Sequence, residues 1–150
     1  MTLLGTHLSL CPEDTERLGE SVGQWLSKDS TLPRFIALYG DLGVGKTALV
    51  RGLARAIAPK ALVRSPTFAL VNEYRASPLS LFHFDMYRIA DEDDLYSIGF
   101  YDYLCRKGIC VVEWSENIPY ALPTDYLRIE LKKTEEECER IITVDRIKSN

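Results

Sequence analysis

The period of the hydrophobic pattern changes several times along this chain, and each change marks an element. Leu18, Val22, Trp25 and Leu26 recur on one helical face. Pro12, Glu13 and Asp14 suit the first turn of that helix, where a fixed proline φ and negative charge are favoured. After a break at 28–33, the run RFIALY at 34–39 is apolar enough for a short strand buried on both faces. The glycine-rich GDLGVGKT follows at once. Leu49, Val50, Leu53, Ala54 and Ile57 then take helical spacing until Pro59 stops it. Further strands are predicted at 68–74, 79–84 and 109–113. Between the last two, DEDDLYSIG and FYDYLCRKG read as short helices, each closing at a glycine suited to the left-handed position beyond a helix end. The tail predicts two strands, 126–131 and 140–144, joined by the charged turn KKTEEECE. This alternation predicts an α/β fold, a three-layer sandwich with a mostly parallel, mixed central sheet flanked by helices.

Length and charge narrow the function classes. At 150 residues the chain is expected to form a single domain over 1–150. No stretch approaches the roughly 20 apolar residues that cross a bilayer, so no membrane role is expected. The net charge of −4 argues against an independent grip on nucleic acid, which usually needs a basic face. Cys11, Cys105, Cys110 and Cys138 form no CxxC pair, and with His7 and His83 they give no zinc spacing. They read as reduced thiols of a cytoplasmic protein, and the N-terminus lacks the basic start and apolar run of a secretory signal.

The strongest chemical signal is GDLGVGKT at 40–47, which fits G-x-x-x-x-G-K-[ST] with the required strand before it and helix after it. Glycines let successive backbone N–H groups turn around a polyphosphate, and the helix N-terminus adds partial positive charge. Lys46 would reach the β- and γ-phosphates, and the Thr47 hydroxyl would ligate a bridging Mg²⁺. Hard cations also need oxygen ligands from neighbouring strand ends. LFHFD and ICVVE each finish an apolar run with an acid, Asp85 and Glu113. Either acid can hold Mg²⁺ through water, or stand as a polar strand end facing solvent. His83, inside its apolar strand, is read as a packing residue. Thr67 in RSPTF is either a loop hydroxyl that senses the γ-phosphate and metal or part of a plain turn ahead of a strand.

Taken together, GDLGVGKT, SPTF, FHFDMYR, GFYDYL and VVEWSE closely resemble the bacterial TsaE (YjeE) family of tRNA threonylcarbamoyladenosine biosynthesis ATPases, over almost the whole chain. The resemblance implies a P-loop NTPase-like domain that binds ATP with Mg²⁺ and hydrolyses it slowly. It also implies partnership with the TsaD and TsaB proteins in attaching threonylcarbamoyl to N6 of adenosine 37 of tRNAs reading codons that start with A. Transfer itself belongs to TsaD, and tRNA would be met only through the partners. By the same resemblance Gly43, Val44, Gly45, Lys46, Thr47 and Ala48 form the phosphate loop. Thr47 and Glu113 are the Mg²⁺ ligands, Asp85 orients water or the outer metal shell, and Thr67 takes the switch position. Two contacts on the adenine side are expected, from Cys11 at the entry to the first helix and from Arg140. The Arg140 guanidinium would lie on the base, or else pair with the glutamates around it. Trp114 is expected to fill a core edge.

Ala48 stands where the family commonly has a second Thr, Val44 where Ala is usual and Phe68 where Tyr is frequent; none of these removes a catalytic group. No arginine finger is evident near the loop, in keeping with slow turnover. A rival reading is a small-molecule or nucleoside kinase, although Arg64, Arg75, Arg88 and Arg106 are scattered singly rather than gathered in a lid. A nucleotide-gated binding module is a third. The acidic and aromatic segment 91–104 is either a partner face near the switch or a solvated cover on a core edge.

Overall fold

Two-residue alternation along the central strands divides the interior into two cores, one on each face of a sheet. In the computed structural model, which describes residues 3–41 and 43–149, the strands are β1 (Gly5–Ser9), β2 (Phe35–Tyr39), β3 (Val71–Tyr74), β4 (Ser80–Asp85), β5 (Gly108–Glu113), β6 (Asp125–Lys133) and β7 (Arg140–Lys148). Leu42 of the glycine motif and the first two residues of the N-terminus lie outside the described residues. The helices are α1 (Pro12–Lys28), α2 (Lys46–Ile57), α3 (Glu92–Ser97) and α4 (Phe100–Leu104). The sheet runs in the order β1-β7-β6-β2-β5-β4-β3. Its four central strands are parallel, while β3, β7 and β1 add by antiparallel pairing.

Ile36, Leu38, Leu81, Ile109 and Val111 meet the helical residues Val22, Leu26, Leu49, Leu53 and Ile57 on one face. Phe35, Ala37, Phe82, Phe84, Cys110 and Val112 meet Leu95, Phe100 and Ile118 on the other. All six residues of β5 are buried, as a central parallel strand covered on both faces requires. This is the three-layer α/β architecture expected from the pattern. Among the described residues no helix is long and apolar enough to cross a membrane.

Three local departures have physical causes. The N-terminal strand β1 was not foreseen. Its five residues are mostly exposed, and they hold strand geometry by pairing with β7, from Gly5 opposite Val144 to Ser9 opposite Arg140. The tail strands run to nine residues each because their ladder extends to Asp125 opposite Lys148. The strand expected at 68–74 is shortened to Val71–Tyr74. A turn precedes it, with Leu70 N–H donating to Pro66 C=O at 2.7 Å and Leu70 held at φ 69°, which breaks the extended run. Phe68 is left 84% exposed.

Helices α1 and α2 lie almost backbone to backbone. A Cβ on Gly52 would stand 2.0 Å from the Glu16 carbonyl oxygen, and one on Gly19 would stand 2.2 Å from the Leu49 carbonyl oxygen. Glu16 also spans the pair, accepting from Arg51 and Arg55 at 2.8 Å each. The two guanidiniums hold its carboxyl below the usual range, the Arg51 hydrogen bond contributing most. Gly52→Ala should therefore destabilise by about 1–3 kcal/mol through overpacking, although alanine gains about 1 kcal/mol of helix propensity. A lower urea midpoint with an unchanged slope checks this.

Cys110 is sealed in the second core, and burial pushes its thiol up to about 12. Cys105 and Cys138 are exposed. Iodoacetamide on the native protein is expected to alkylate Cys105 and Cys138 and to reach Cys110 only in denaturant. Peptide mass spectrometry resolves the sites.

Candidate nucleotide site

The carboxyl ends of the parallel strands point to one edge of the sheet, and the glycine loop sits there between β2 and α2. Gly40, Gly43 and Gly45 have φ of 147°, 75° and 110°, values that L side chains rarely adopt. Gly40 is doubly constrained, since a Cβ there would meet the Leu131 carbonyl oxygen at 2.7 Å and the Val44 side chain at 2.8 Å. Gly45 immediately precedes α2, so the loop runs straight into a helix N-terminus. Lys46 begins that helix and is 6% exposed. Its ammonium donates to the Gly40 carbonyl at 2.8 Å, stands 4.0 Å from Glu113 Oε1, and lies 4.8 Å from the centre of the Trp114 ring.

Strands β4 and β5 end in register, Asp85 opposite Glu113, and both acids are nearly buried. Asp85 Oδ1 accepts from the Tyr87 N–H at 2.9 Å. Glu113 Oε2 bonds His83 Nε2 at 2.5 Å. A cavity of about 430 Å³ opens between these strand ends and the loop. Lys46, Thr47, Thr67, Asp85 and Glu113 all line it, together with Gly43 and Gly45. The Thr67 hydroxyl, bonded to that of Ser65 at 2.7 Å, thus faces the same space as the metal candidates.

Cys11, Val44, Ala48 and Arg140 line a second cavity of about 280 Å³, which shares Gly43 and Gly45 with the first. The expected site residues therefore separate into two groups on the two sides of one loop. Arg140 departs from the glutamate pairing read from the sequence. Its Nε donates to the Val44 carbonyl at 2.9 Å, and its Nη1 donates to the Glu137 and Glu139 carbonyls at 2.8 Å each. The guanidinium grips backbone carbonyls, not glutamate side chains, and so ties the β6–β7 hairpin to the glycine loop.

Sequence reasoning undervalued two neighbours. Trp114 packs only partly on the core; it takes a left-handed φ of 58°, lies over Lys46 and meets the Tyr87 ring at 5.0 Å. A bulky residue held in that region is strained, and such strain gathers at functional sites. His83 is fully buried but bonded to a site carboxylate. The signal for it was its position two residues before Asp85, hence on the same strand face.

The donor set suits a polyphosphate carried with a divalent cation. Two carboxylates face one ammonium across the pocket, so a bare polyanion would meet net repulsion. A hard dication would remove that conflict, with Thr47 and Glu113 to hold it and Asp85 beside them, and Mg²⁺ is commonly held by one or two carboxylates plus phosphate oxygens.

A family model described as threonylcarbamoyl adenosine biosynthesis protein TsaE matches residues 10–142. Among individual proteins, the tRNA threonylcarbamoyladenosine biosynthesis protein TsaE of Bacillus subtilis is 35% identical over 132 residues, covering 88% of this chain and 79% of its own length. Its namesake in Haemophilus influenzae is 41% identical over 108 residues, covering 71% and 68% respectively. That of Treponema pallidum is 36% identical over 125 residues, covering 83% and 89%. The crystal structure of Bacillus subtilis YdiB superposes with a TM-score of 0.75 at 29% identity, over 93% of this chain and 82% of the other.

Removing the Arg140 guanidinium should loosen the loop. Arg140→Ala is expected to cost about 1–3 kcal/mol, because it leaves carbonyls without a charged donor. Faster amide hydrogen exchange at Val44 and Gly45 should accompany a lower urea midpoint. Arg140→Lys should restore little, since one ammonium does not reproduce the planar fork.

Proposed function

We propose that this chain, which belongs to the TsaE family, binds ATP with Mg²⁺ at the glycine loop and hydrolyses it slowly as an accessory to threonylcarbamoyladenosine formation in tRNA. The observation that carries the reading is the meeting of Lys46, Thr47, Asp85 and Glu113 in one pocket at the start of α2. Family membership adds the pathway, since the relatives are named as tRNA threonylcarbamoyladenosine biosynthesis proteins.

Each residue has a chemical task in this reading. The backbone N–H groups of 43–48 and the N-terminus of α2 bind phosphate oxygens at fixed positions. Lys46, whose ammonium donates to the Gly40 carbonyl, would instead donate to the β- and γ-phosphates. Thr47 and Glu113 are the protein's ligands for Mg²⁺, which when bound supplies charge neutralisation between the β- and γ-phosphates. Asp85, fixed by the Tyr87 N–H, orients the attacking water. Thr67 approaches the γ-phosphate from the 65–67 turn and reports whether it is present. The second cavity takes the nucleoside end, with Cys11, Val44, Ala48 and Arg140 along its wall. Hydrolysis without an arginine finger is slow, which suits a switch more than a bulk catalyst.

The acidic balance supports a reading in which the partners hold the tRNA. With a net charge of −4 the chain has little to offer a phosphate backbone. TsaD and TsaB are the proposed partners, TsaD performing the transfer, in the cytoplasm. The segment 91–104, with Tyr96 exposed, is their proposed contact face.

Lys46→Ala is expected to weaken binding of a fluorescent ATP analogue about 10- to 100-fold, the worth of a hydrogen bond to a charged group. Phosphate release by the unaltered protein should be slow and independent of added small acceptors. Acceptor-dependent consumption of ATP with a phosphorylated product would instead establish a kinase. Capture of the TsaB–TsaD pair should differ between ATP and ADP.

A further inference from the structure

His83 lies wholly inside the protein, yet carries one polar bond that strand packing does not need. Residues 81, 83 and 85 of β4 share a face with 109, 111 and 113 of β5, because His83 stands opposite Val111 and Asp85 opposite Glu113. Leu81, Ile109 and Val111 on that face belong to the first core. His83 is therefore the polar step between an apolar interior and the pocket edge, one diagonal away from Glu113.

Its hydrogen bonding is one-sided. Nε2 bonds Glu113 Oε2 at 2.5 Å, while Nδ1 is buried with no partner among the described residues. A buried nitrogen without a partner carries a desolvation cost, so an apolar residue would suit the core better if packing were the whole purpose. The ring's single bond is directed to one oxygen of Glu113. The other oxygen, Oε1, faces the Lys46 ammonium at 4.0 Å. The two contacts differ in permanence, since Lys46 must release its local partners to reach phosphate, whereas His83 is 0% exposed and bound into the strand.

We propose that His83 is the positioning residue for Glu113. Its Nε2–H holds Oε2, fixing the carboxylate so that Oε1 faces the pocket and Lys46 and would be available to a metal carried with nucleotide. The proposal rests on the Mg·ATP reading of the pocket. It assigns His83 an effect on metal affinity rather than on direct contact with nucleotide. Carboxylates and imidazoles that ligate metals are commonly oriented by such hydrogen-bonded partners, and losing one typically costs 10- to 100-fold in metal affinity.

The test uses the full chain and Mg²⁺ titrations of fluorescent ATP-analogue binding, with parallel measurements in EDTA. His83→Gln places an amide N–H where Nε2 stands, His83→Asn places one nearer Nδ1, and His83→Leu has no donor. The Leu and Asn variants are expected to need about 10- to 100-fold more Mg²⁺, while the Gln variant recovers most of the response. In a Glu113→Ala background, His83→Leu should then add nothing further. A Leu variant that titrates like the unaltered protein would overturn the proposal, and so would a Gln variant as impaired as Asn. If Leu fails to fold, the Gln and Asn comparison decides. Absence of any Mg²⁺-dependent binding by the unaltered protein would defeat the function proposed above, and the His83 role with it.

Discussion

The parallel pairing of β4 with β5 brings two negative side chains to adjacent strand ends, Asp85 opposite Glu113, beside a helix that begins with a buried lysine. Neighbouring carboxylates repel, and burial weakens the solvent screening that would soften the repulsion. In this fold each is supported by a different element: Asp85 by the following turn through Tyr87 N–H, Glu113 by His83 and more distantly by Lys46. The glycine loop, the start of α2 and the 65–67 turn all converge on that acidic edge. Their joint arrangement gathers an ammonium, two threonine hydroxyls and two carboxylates around one cavity.

The scaffold keeps this edge rigid from below and from the side. Beneath it, β5 is buried on both faces and the two cores clamp the central strands. At the side, glycines at the α1–α2 crossing draw the helices into backbone contact, and Glu16 bridges to Arg51 and Arg55. Arg140 then ties the glycine loop to the distant β6–β7 hairpin through three carbonyls. A loop whose glycines give it conformational freedom is thereby held by neighbours whose own freedom is small.

The order of elements after β1, the three layers and the glycine motif between strand and helix were legible in the residues. The reason is local: period-2 apolar runs, helical spacing after GKT and the motif's own geometry are properties of short windows. Thr47, Asp85 and Glu113, which the structure brings to one cavity, were singled out by the same logic, as oxygens at a helix start and at strand ends. The edge strand β1 escaped because its exposed residues depend on β7 for their conformation. The shortened β3 followed from the turn that Pro66 and Leu70 close, which outweighs the strand propensity of Phe68.

Sequence by itself determined that the chain alternates strands and helices around a glycine-rich loop, and that two acids end apolar strands, because these depend on residue type and spacing along the backbone. Only the tertiary structure decided that Arg140 grips carbonyls, that Trp114 lies over Lys46, and that His83 spends its one bond on Glu113. Those contacts join residues 30 to 96 positions apart. Nothing in a local window specifies such a meeting; it is set by strand order, register and the packing of both cores.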